Sequence, residues 1–194
     1  MMEKSLVLIK PDAVQRGLVG EIISRFERCG LKIISMKMVY ADKEIAGQHY
    51  ADDESWMQSV GEKAKKSAEK RGETLDVEPV EIGRRVREQL MDYISMSPIV
   101  ALVIEGHGAV KKIRRIVGDT NPQESAPGTI RGDYTIDSYQ MADASGRPIQ
   151  NLIHASGEVE EAEREIKIWF EEAELHAWRR VDEMLIYRKN TENR

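Results

Sequence analysis

The run Ile99–Ile104 constrains the fold more than any other part of this sequence. It contains six consecutive apolar residues, several of them β-branched, and Pro98 precedes it. A short, continuous apolar run of this kind is typical of a strand that is covered on both faces. The sequence therefore predicts a sheet with this run as its central strand.

Further strands and several helices are predicted around that central strand. Ser5–Ile9 reads as a buried strand that ends at Pro11, Leu31–Tyr40 as a second strand, and Ile149–Ala155 as a short one. Helical spacing of apolar or charged residues predicts the helices, which are Leu18–Arg28, Asp42–Tyr50, Glu54–Arg71, Glu81–Ile94, Ala109–Val117 and Gly157–Phe170. This alternation of strands and helices indicates an α/β or α+β sandwich.

Length and charge favour one compact domain that does not specialise in nucleic acid. The chain has 194 residues, a formal net charge of -5 and one cysteine, Cys29. Dedicated nucleic-acid binders usually carry a basic stripe, and one thiol cannot form an internal disulfide. No secretory signal or membrane-spanning stretch is recognised in the sequence. We expect a cytoplasmic protein with no membrane partner.

The sequence lacks the glycine-rich motifs that commonly bind phosphates, and it lacks metal-ligand spacings. Phosphate binding would then depend on charged and polar side chains placed by a specific loop. The segment 118–132, rich in proline and glycine, is long enough to suggest a functional loop. The side chains suited to phosphate are Lys10, Arg114, Thr120, Arg131 and Asn151.

His154 is the histidine with the most suggestive neighbours. Apolar residues precede it and small residues follow it, whereas His49 and His176 read as surface or packing residues and His107 as a possible helix cap. A nucleophilic imidazole needs a second group to hold its other nitrogen, and Glu165 in the next helix could do so. From these residues alone, a structural histidine is the better interpretation, and a nucleophile remains the alternative.

Four blocks of the sequence, in order, resemble the nucleoside diphosphate kinase family between about Lys4 and Phe170. The blocks are Ile9–Gly20 (IKPDAVQRGLVG), Gly118–Pro122 (GDTNP), Pro127–Asp133 (PGTIRGD) and Asn151–Ser156 (NLIHAS). Several separate motifs in the right order are far more specific than one short motif. The resemblance favours the nucleophile reading of His154.

The resemblance implies a ping-pong reaction that moves a γ-phosphate through a phosphohistidine on His154. ATP, GTP, GDP and other nucleoside tri- and diphosphates would be substrates, with Mg²⁺ held by the nucleotide phosphates and no metal ligand from the protein. Lys10, Arg114 and Arg131 would neutralise phosphate oxygens, while the hydroxyls of Thr120 and Tyr50 would contact them. The other implied roles are Asn151 on the ribose, Glu165 and Ser156 on the His154 ring, and Leu90 and Trp56 at the base.

The family also implies a fold and an assembly. The fold would be a ferredoxin-like α+β sandwich, with a four-stranded antiparallel sheet covered by helices. The chain would be a single domain, 1–194, with a helical insertion at about 58–83 and a second insertion at about 137–149. A homo-oligomer is expected, with a hexamer favoured.

Two other function classes remain to be weighed. A ferredoxin-like sheet can bind RNA through exposed aromatic residues, but the acidic charge balance and only two phenylalanines argue against this. A catalytically inactive scaffold is the other alternative, and the retained Lys10, Arg114, Arg131, Asn151 and His154 argue against it. Phosphorylation of other proteins would be a side reaction.

Overall fold

A four-stranded antiparallel sheet organises the computed structural model, which describes residues 2–50, 52–70 and 72–187. The strands are β1 (Met2–Ile9), β2 (Lys32–Val39), β3 (Ile99–His107) and β4 (Ile153–Ala155), in the spatial order β2-β3-β1-β4. The strand that contains the Ile99–Ile104 run therefore lies inside the sheet, as predicted. The predicted antiparallel, helix-covered sheet is confirmed.

Helices fill the connections between the strands. They are α1 (Pro11–Gln15), α2 (Val19–Arg28), α3 (Lys43–His49), α4 (Glu54–Lys70), α5 (Pro79–Ser95), α6 (Ala109–Val117), α7 (Ile130–Tyr134), α8 (Tyr139–Ala144), α9 (Val159–Trp169) and α10 (Glu183–Ile186). The long loop 118–132 contains a short 3-10 turn, Pro122–Glu124, and the start of α7.

The prediction of a strand from residue 149 was wrong at its beginning. β4 starts only at Ile153, because Leu152 has a φ of 70°, in the left-handed region that a strand cannot use. Two hydrogen bonds hold Leu152 in this conformation. Its N–H donates to Asp12, and its carbonyl accepts from the Lys10 N–H. The irregular backbone therefore lies two residues before His154.

Apolar side chains cover both faces of the sheet. One face packs β1 and β3 against α2 and α6, with Ile22, Phe26 and Ile113 fully buried. The other face packs the alternate residues of β1 and β3 against α3, α5 and α9, with Ile94 and Trp169 buried. Because successive side chains of a strand point to opposite faces, a strand covered on both sides is apolar throughout.

Helices α4 and α5 form a hairpin whose backbones approach closely at two glycines. A Cβ atom on Gly83 would lie 2.1 Å from the Met57 carbonyl oxygen, and one on Gly61 would lie 1.8 Å from the Pro79 oxygen. Neither position can hold a larger residue without separating the helices. The hairpin also contacts α3 through α5.

Replacing Gly83 with alanine tests this close approach. The substitution should raise helix propensity, yet we expect it to destabilise the protein by about 1–3 kcal/mol because the added methyl collides with backbone atoms. Urea unfolding measures the change. Gly20→Ala in α2 is the matched control, since its Cβ meets nothing within 4 Å, and it should be neutral or slightly stabilising. Equal stabilities for the two variants would contradict the packing described.

Candidate active site

The pairing of β1 with β4 creates the candidate site. Leu8 lies opposite His154 and Ile9 lies opposite Ile153 in the antiparallel register. Lys10 immediately follows β1, and its backbone N–H donates to the Leu152 carbonyl at 2.8 Å. Two blocks of sequence about 140 residues apart therefore meet at one edge of the sheet.

His154 is held by a carboxylate from α9. Its Nε2 lies 2.9 Å and 3.0 Å from the two carboxylate oxygens of Glu165, which is almost fully buried. The Ser156 hydroxyl donates to the same carboxylate at 2.6 Å. With Nε2–H donating to Glu165, the lone pair of His154 is on Nδ1.

Burial shifts the proton equilibria of this pair. It lowers the pKa of His154 well below its ordinary value, and the positive charge of Lys10 lowers it further. Burial also raises the pKa of Glu165. The imidazole is therefore neutral at physiological pH, as a nucleophile requires.

Asn151 connects Lys10 to the loop that precedes α7. Lys10 Nζ donates to Asn151 Oδ1 at 2.9 Å, and Asn151 Nδ2 donates to the Thr120 carbonyl at 2.9 Å. Lys10 is only 6% exposed, and burial, followed by the charge of Arg131, lowers its pKa to about 7. An anion bound beside this ammonium would favour its charged form.

Arg131 fastens the loop to β4. Its guanidinium donates to the backbone carbonyls of Gly118, Asp119, Asn151 and Ile153, at 3.2, 3.0, 3.1 and 2.6 Å. The predicted contact of Arg131 with phosphate stays a prediction. In the structure, its side chain is buried and orders backbone while its charge remains close enough to lower the pKa of Lys10.

Two further side chains predicted for the site differ in exposure. Arg114 is exposed on α6, and its guanidinium reaches the Ala155 carbonyl at 3.5 Å. The Tyr50 hydroxyl is buried and has no hydrogen-bond partner within the described residues. Burial raises the pKa of Tyr50, so the hydroxyl keeps its proton and can donate it in a hydrogen bond.

The structure brings His49 into the site, which the sequence reading missed. Its ring is buried, lies 4.5 Å from the His154 ring between centroids, and is nearly perpendicular to it at 86°. Its position on the same helical face as the buried Ala46, and next to Tyr50, is the signal that could have revealed it.

The predicted base-contacting residues lie on the hairpin. Trp56 is near the start of α4 and Leu90 is in α5, and both are half-buried. Across the ranges that the structure describes, neither side chain makes a hydrogen bond or ring contact with His154, Glu165, Ser156 or His49. Their assignment to the base remains a prediction.

His49, His154 and Glu165 are the described residues whose ligand atoms come close enough for a metal ion, all within 4.8 Å of one another. Their atoms are already engaged with protein groups. Trp169 Nε1 donates to His49 Nδ1 at 3.4 Å, and Glu165 accepts from His154 and Ser156. The cluster is therefore suited to holding a neutral imidazole with its Nδ1 lone pair available for attack beside a buried ammonium.

A protein-family model described as "Nucleoside diphosphate kinase" matches residues 3–59 and 79–175. It leaves 60–78, within the α4–α5 hairpin, unmatched. Among similar proteins, a nucleoside diphosphate kinase of Pyrobaculum aerophilum is 48% identical over 179 residues, covering 90% of this chain and 98% of the relative. One of Archaeoglobus fulgidus is 43% identical over 186 residues, covering 96% and 98%.

Solved structures give the same result. The NDP kinase from Pyrobaculum aerophilum superposes with a TM-score of 0.88 at 46% identity, covering 91% of this chain and all of the other. A Borrelia burgdorferi nucleoside-diphosphate kinase with bound vanadate and ADP, described as a transition-state mimic, superposes with a TM-score of 0.78 at 35% identity, covering 95% and 96%. Among the described residues, no helix is both long and apolar enough to cross a membrane.

Lys10→Met tests the cost of burying the ammonium. Since the pKa of Lys10 falls from 10.5 to about 7 on folding, the folded state binds fewer protons than the unfolded state between those values. As the pH rises through that window, Lys10 should therefore increase the wild-type free energy of unfolding by at most about 1.4 kcal/mol per pH unit. Urea unfolding at several pH values should show the variant most stabilised, relative to wild type, below pH 7. A stability difference that does not change with pH would contradict the lowered pKa.

Proposed function

Given that this chain belongs to the nucleoside diphosphate kinase family and is a phosphotransferase, we propose that its reaction passes through a phosphohistidine on His154. A nucleoside triphosphate such as ATP or GTP gives its γ-phosphate to the enzyme, and a nucleoside diphosphate such as GDP takes it away. The observation that carries this proposal is the Glu165 carboxylate on Nε2, which leaves the Nδ1 lone pair for phosphorus.

The first half-reaction forms one bond and breaks one. His154 Nδ1 attacks the γ-phosphorus, the bond from that phosphorus to the bridging oxygen breaks, and the nucleoside diphosphate leaves with the electron pair. The imidazole becomes more positive as the N–P bond forms, and the buried Glu165 carboxylate stabilises that charge. The second half-reaction runs in reverse with a different diphosphate.

Charge neutralisation on the phosphate side comes from several groups. Lys10 and Arg114 supply positive charge, and the hydroxyls of Tyr50 and Thr120 supply hydrogen bonds, since phosphoryl transfer depends mainly on positioning and electrostatics. Arg131 contributes charge while it orders the loop, and Asn151 is proposed to hold the ribose hydroxyls. Leu90 and Trp56 are proposed to contact the base.

Mg²⁺ is proposed to arrive with the nucleotide. Each carboxylate of the site is engaged with a protein group through at least one oxygen: Asp12 Oδ2 accepts from Leu152 N–H, Asp119 from Asn121 N–H, and Glu165 from His154, while the buried Asp12 Oδ1 has no hydrogen-bond partner among the described residues. This donor set suits an ion held by phosphate oxygens and water, with no protein ligand required. When bound, the ion supplies further neutralisation of the phosphate oxygens.

We also propose a homo-oligomer with one domain per chain, 1–194, located in the cytoplasm. Met36 and Met38 of the edge strand β2, and Tyr40 directly after it, are exposed by 55%, 62% and 68%, which supports self-association. A hexamer rests on the family resemblance alone.

Insertions are proposed at about 58–83 and 137–149. The first range spans most of α4 and the start of α5. The second contains α8, and Arg147 and Asp137 form an ion pair between its two ends.

Incubation with γ-labelled ATP tests the relay. Wild-type protein should acquire one acid-labile phosphate that moves to added GDP, and His154→Ala should acquire none, because the attacking nitrogen is gone. An equal amount of label on both proteins would move the nucleophile elsewhere. No label on either would favour a nucleotide-binding scaffold.

Glu165→Gln tests the electrostatic role of the carboxylate. The amide can still accept from Nε2–H but carries no charge, so we expect the phosphorylation rate to fall by about 10²-fold. Rapid-quench measurement of the first turnover gives this rate. Glu163→Gln on the exposed side of the same helix is the matched control and should leave the rate unchanged. A Glu165→Gln rate equal to that of the control would exclude the proposed stabilisation.

A further inference from the structure

His49 is a buried titratable residue that the proposed reaction does not use. It lies at the end of α3, and its ring contacts those of Tyr50, His154 and Trp169, with centroid distances of 4.9, 4.5 and 5.7 Å. Its side chain is 1% exposed. A polar ring this deeply buried needs a partner and a reason to be there.

Trp169 fixes the protonation of the His49 ring. The indole Nε1–H can only donate, so the His49 Nδ1 at 3.4 Å accepts and carries no proton. The proton of the neutral ring is then on Nε2. Burial, followed by the electrostatic interaction with the neighbouring His154 ring, lowers the pKa of His49 to about 3, which agrees with a neutral ring.

His49 is poorly placed to exchange a proton with the catalytic pair. Its Nδ1 lies 3.6 Å from Glu165 Oε1, beyond hydrogen-bond distance, and already accepts from Trp169. Its contact with His154 is between ring faces and edges at 86°. The geometry thus favours a steric role over acid–base chemistry.

A single hydrogen bond cannot fix the His154 ring. The bond from Nε2 to Glu165 holds one end of the ring, but a flip that presents the other nitrogen requires only this bond to break. A second ring set at right angles against it blocks this movement. Because phosphoryl transfer needs Nδ1 aligned with the phosphorus, an error of about 1 Å can cost about 10²-fold in rate.

We propose that His49 is a positioning residue that holds the His154 ring with Nδ1 facing the substrate. The inference rests on the proposed phosphohistidine mechanism. Trp169 donates a hydrogen bond to the His49 ring. Arg87 of the α4–α5 hairpin holds the end of α3 by donating to the carbonyls of Gly47 and Tyr50, at 3.1 and 3.3 Å. The hairpin thereby supports the catalytic ring through α3.

Replacement of His49 by alanine and by phenylalanine separates positioning from chemistry. His49→Ala removes the blocking ring, and we expect the rate of autophosphorylation by ATP to fall by about 10²-fold with the Kd for ADP unchanged. His49→Phe restores a ring that cannot carry protons, and should recover the rate to within about fivefold of wild type. Equal losses in the two variants would contradict positioning and indicate a proton role for His49.

The position of the phosphate on the ring is a readout that general destabilisation would not change. Correlated ¹H–¹⁵N spectra of the phosphorylated enzyme distinguish Nδ1- from Nε2-phosphohistidine. Wild type and His49→Phe should carry phosphate on Nδ1 alone, and His49→Ala should carry a mixture. Phosphate on Nδ1 alone in His49→Ala, at the wild-type rate, would overturn the proposal.

Controls separate this proposal from stability and from the proposed function. Ile22→Ala opens a buried site in α2 away from His154 and should lower Tm without changing the rate or the phosphate position. If His49→Ala fails to fold, the same measurements are made on His49→Leu, and the same results are expected of it. Absence of label on wild-type His154 would instead refute the proposed function itself.

Discussion

The antiparallel pairing of β1 with β4 is the constraint on which the rest of the site depends. It places Leu8 opposite His154, so the residue after β1 and the residue before β4 are neighbours at one edge of the sheet. Two hydrogen bonds complete the contact: the Lys10 N–H donates to the Leu152 carbonyl, and the Leu152 N–H donates to the Asp12 carboxylate. Because both strands are apolar and buried, a one-residue slip would turn His154 to the wrong face.

Where β1 meets β4, burial determines which side chains carry a charge. His154 is neutral because desolvation disfavours its charged form, and Lys10 titrates near neutrality for the same reason. A phosphate entering such a site would raise the pKa of the ammonium beside it. In the proposed phosphohistidine mechanism, the buried Glu165 carboxylate supplies the opposite charge where the imidazole would become positive. The environment is thus prepared for the charges that appear during transfer, and little reorganisation is required.

Much of this arrangement could be predicted from the sequence, for identifiable reasons. Ile99–Ile104 predicted the interior strand because an unbroken apolar run has few other solutions, and the NLIHAS block pointed to His154 through resemblance. The predicted start of β4 at Ile149 was wrong because the sequence around Leu152 does not indicate a left-handed conformation, which tertiary hydrogen bonds impose. His49 was missed because burial at the end of a short helix depends on α9, more than 100 residues away.

The loop before α7, proposed to contact phosphate, has no glycine-rich cradle. In such cradles, backbone N–H groups converge on the phosphate. Here the guanidinium of Arg131 binds four backbone carbonyls on two sides of the loop, and the Asn151 amide binds a fifth at Thr120. The Lys10 side chain and the Thr120 carbonyl are joined through Asn151, and the buried Arg131 joins the loop to β4 while it supplies positive charge. Because one buried arginine binds both segments, order and charge come from a single residue.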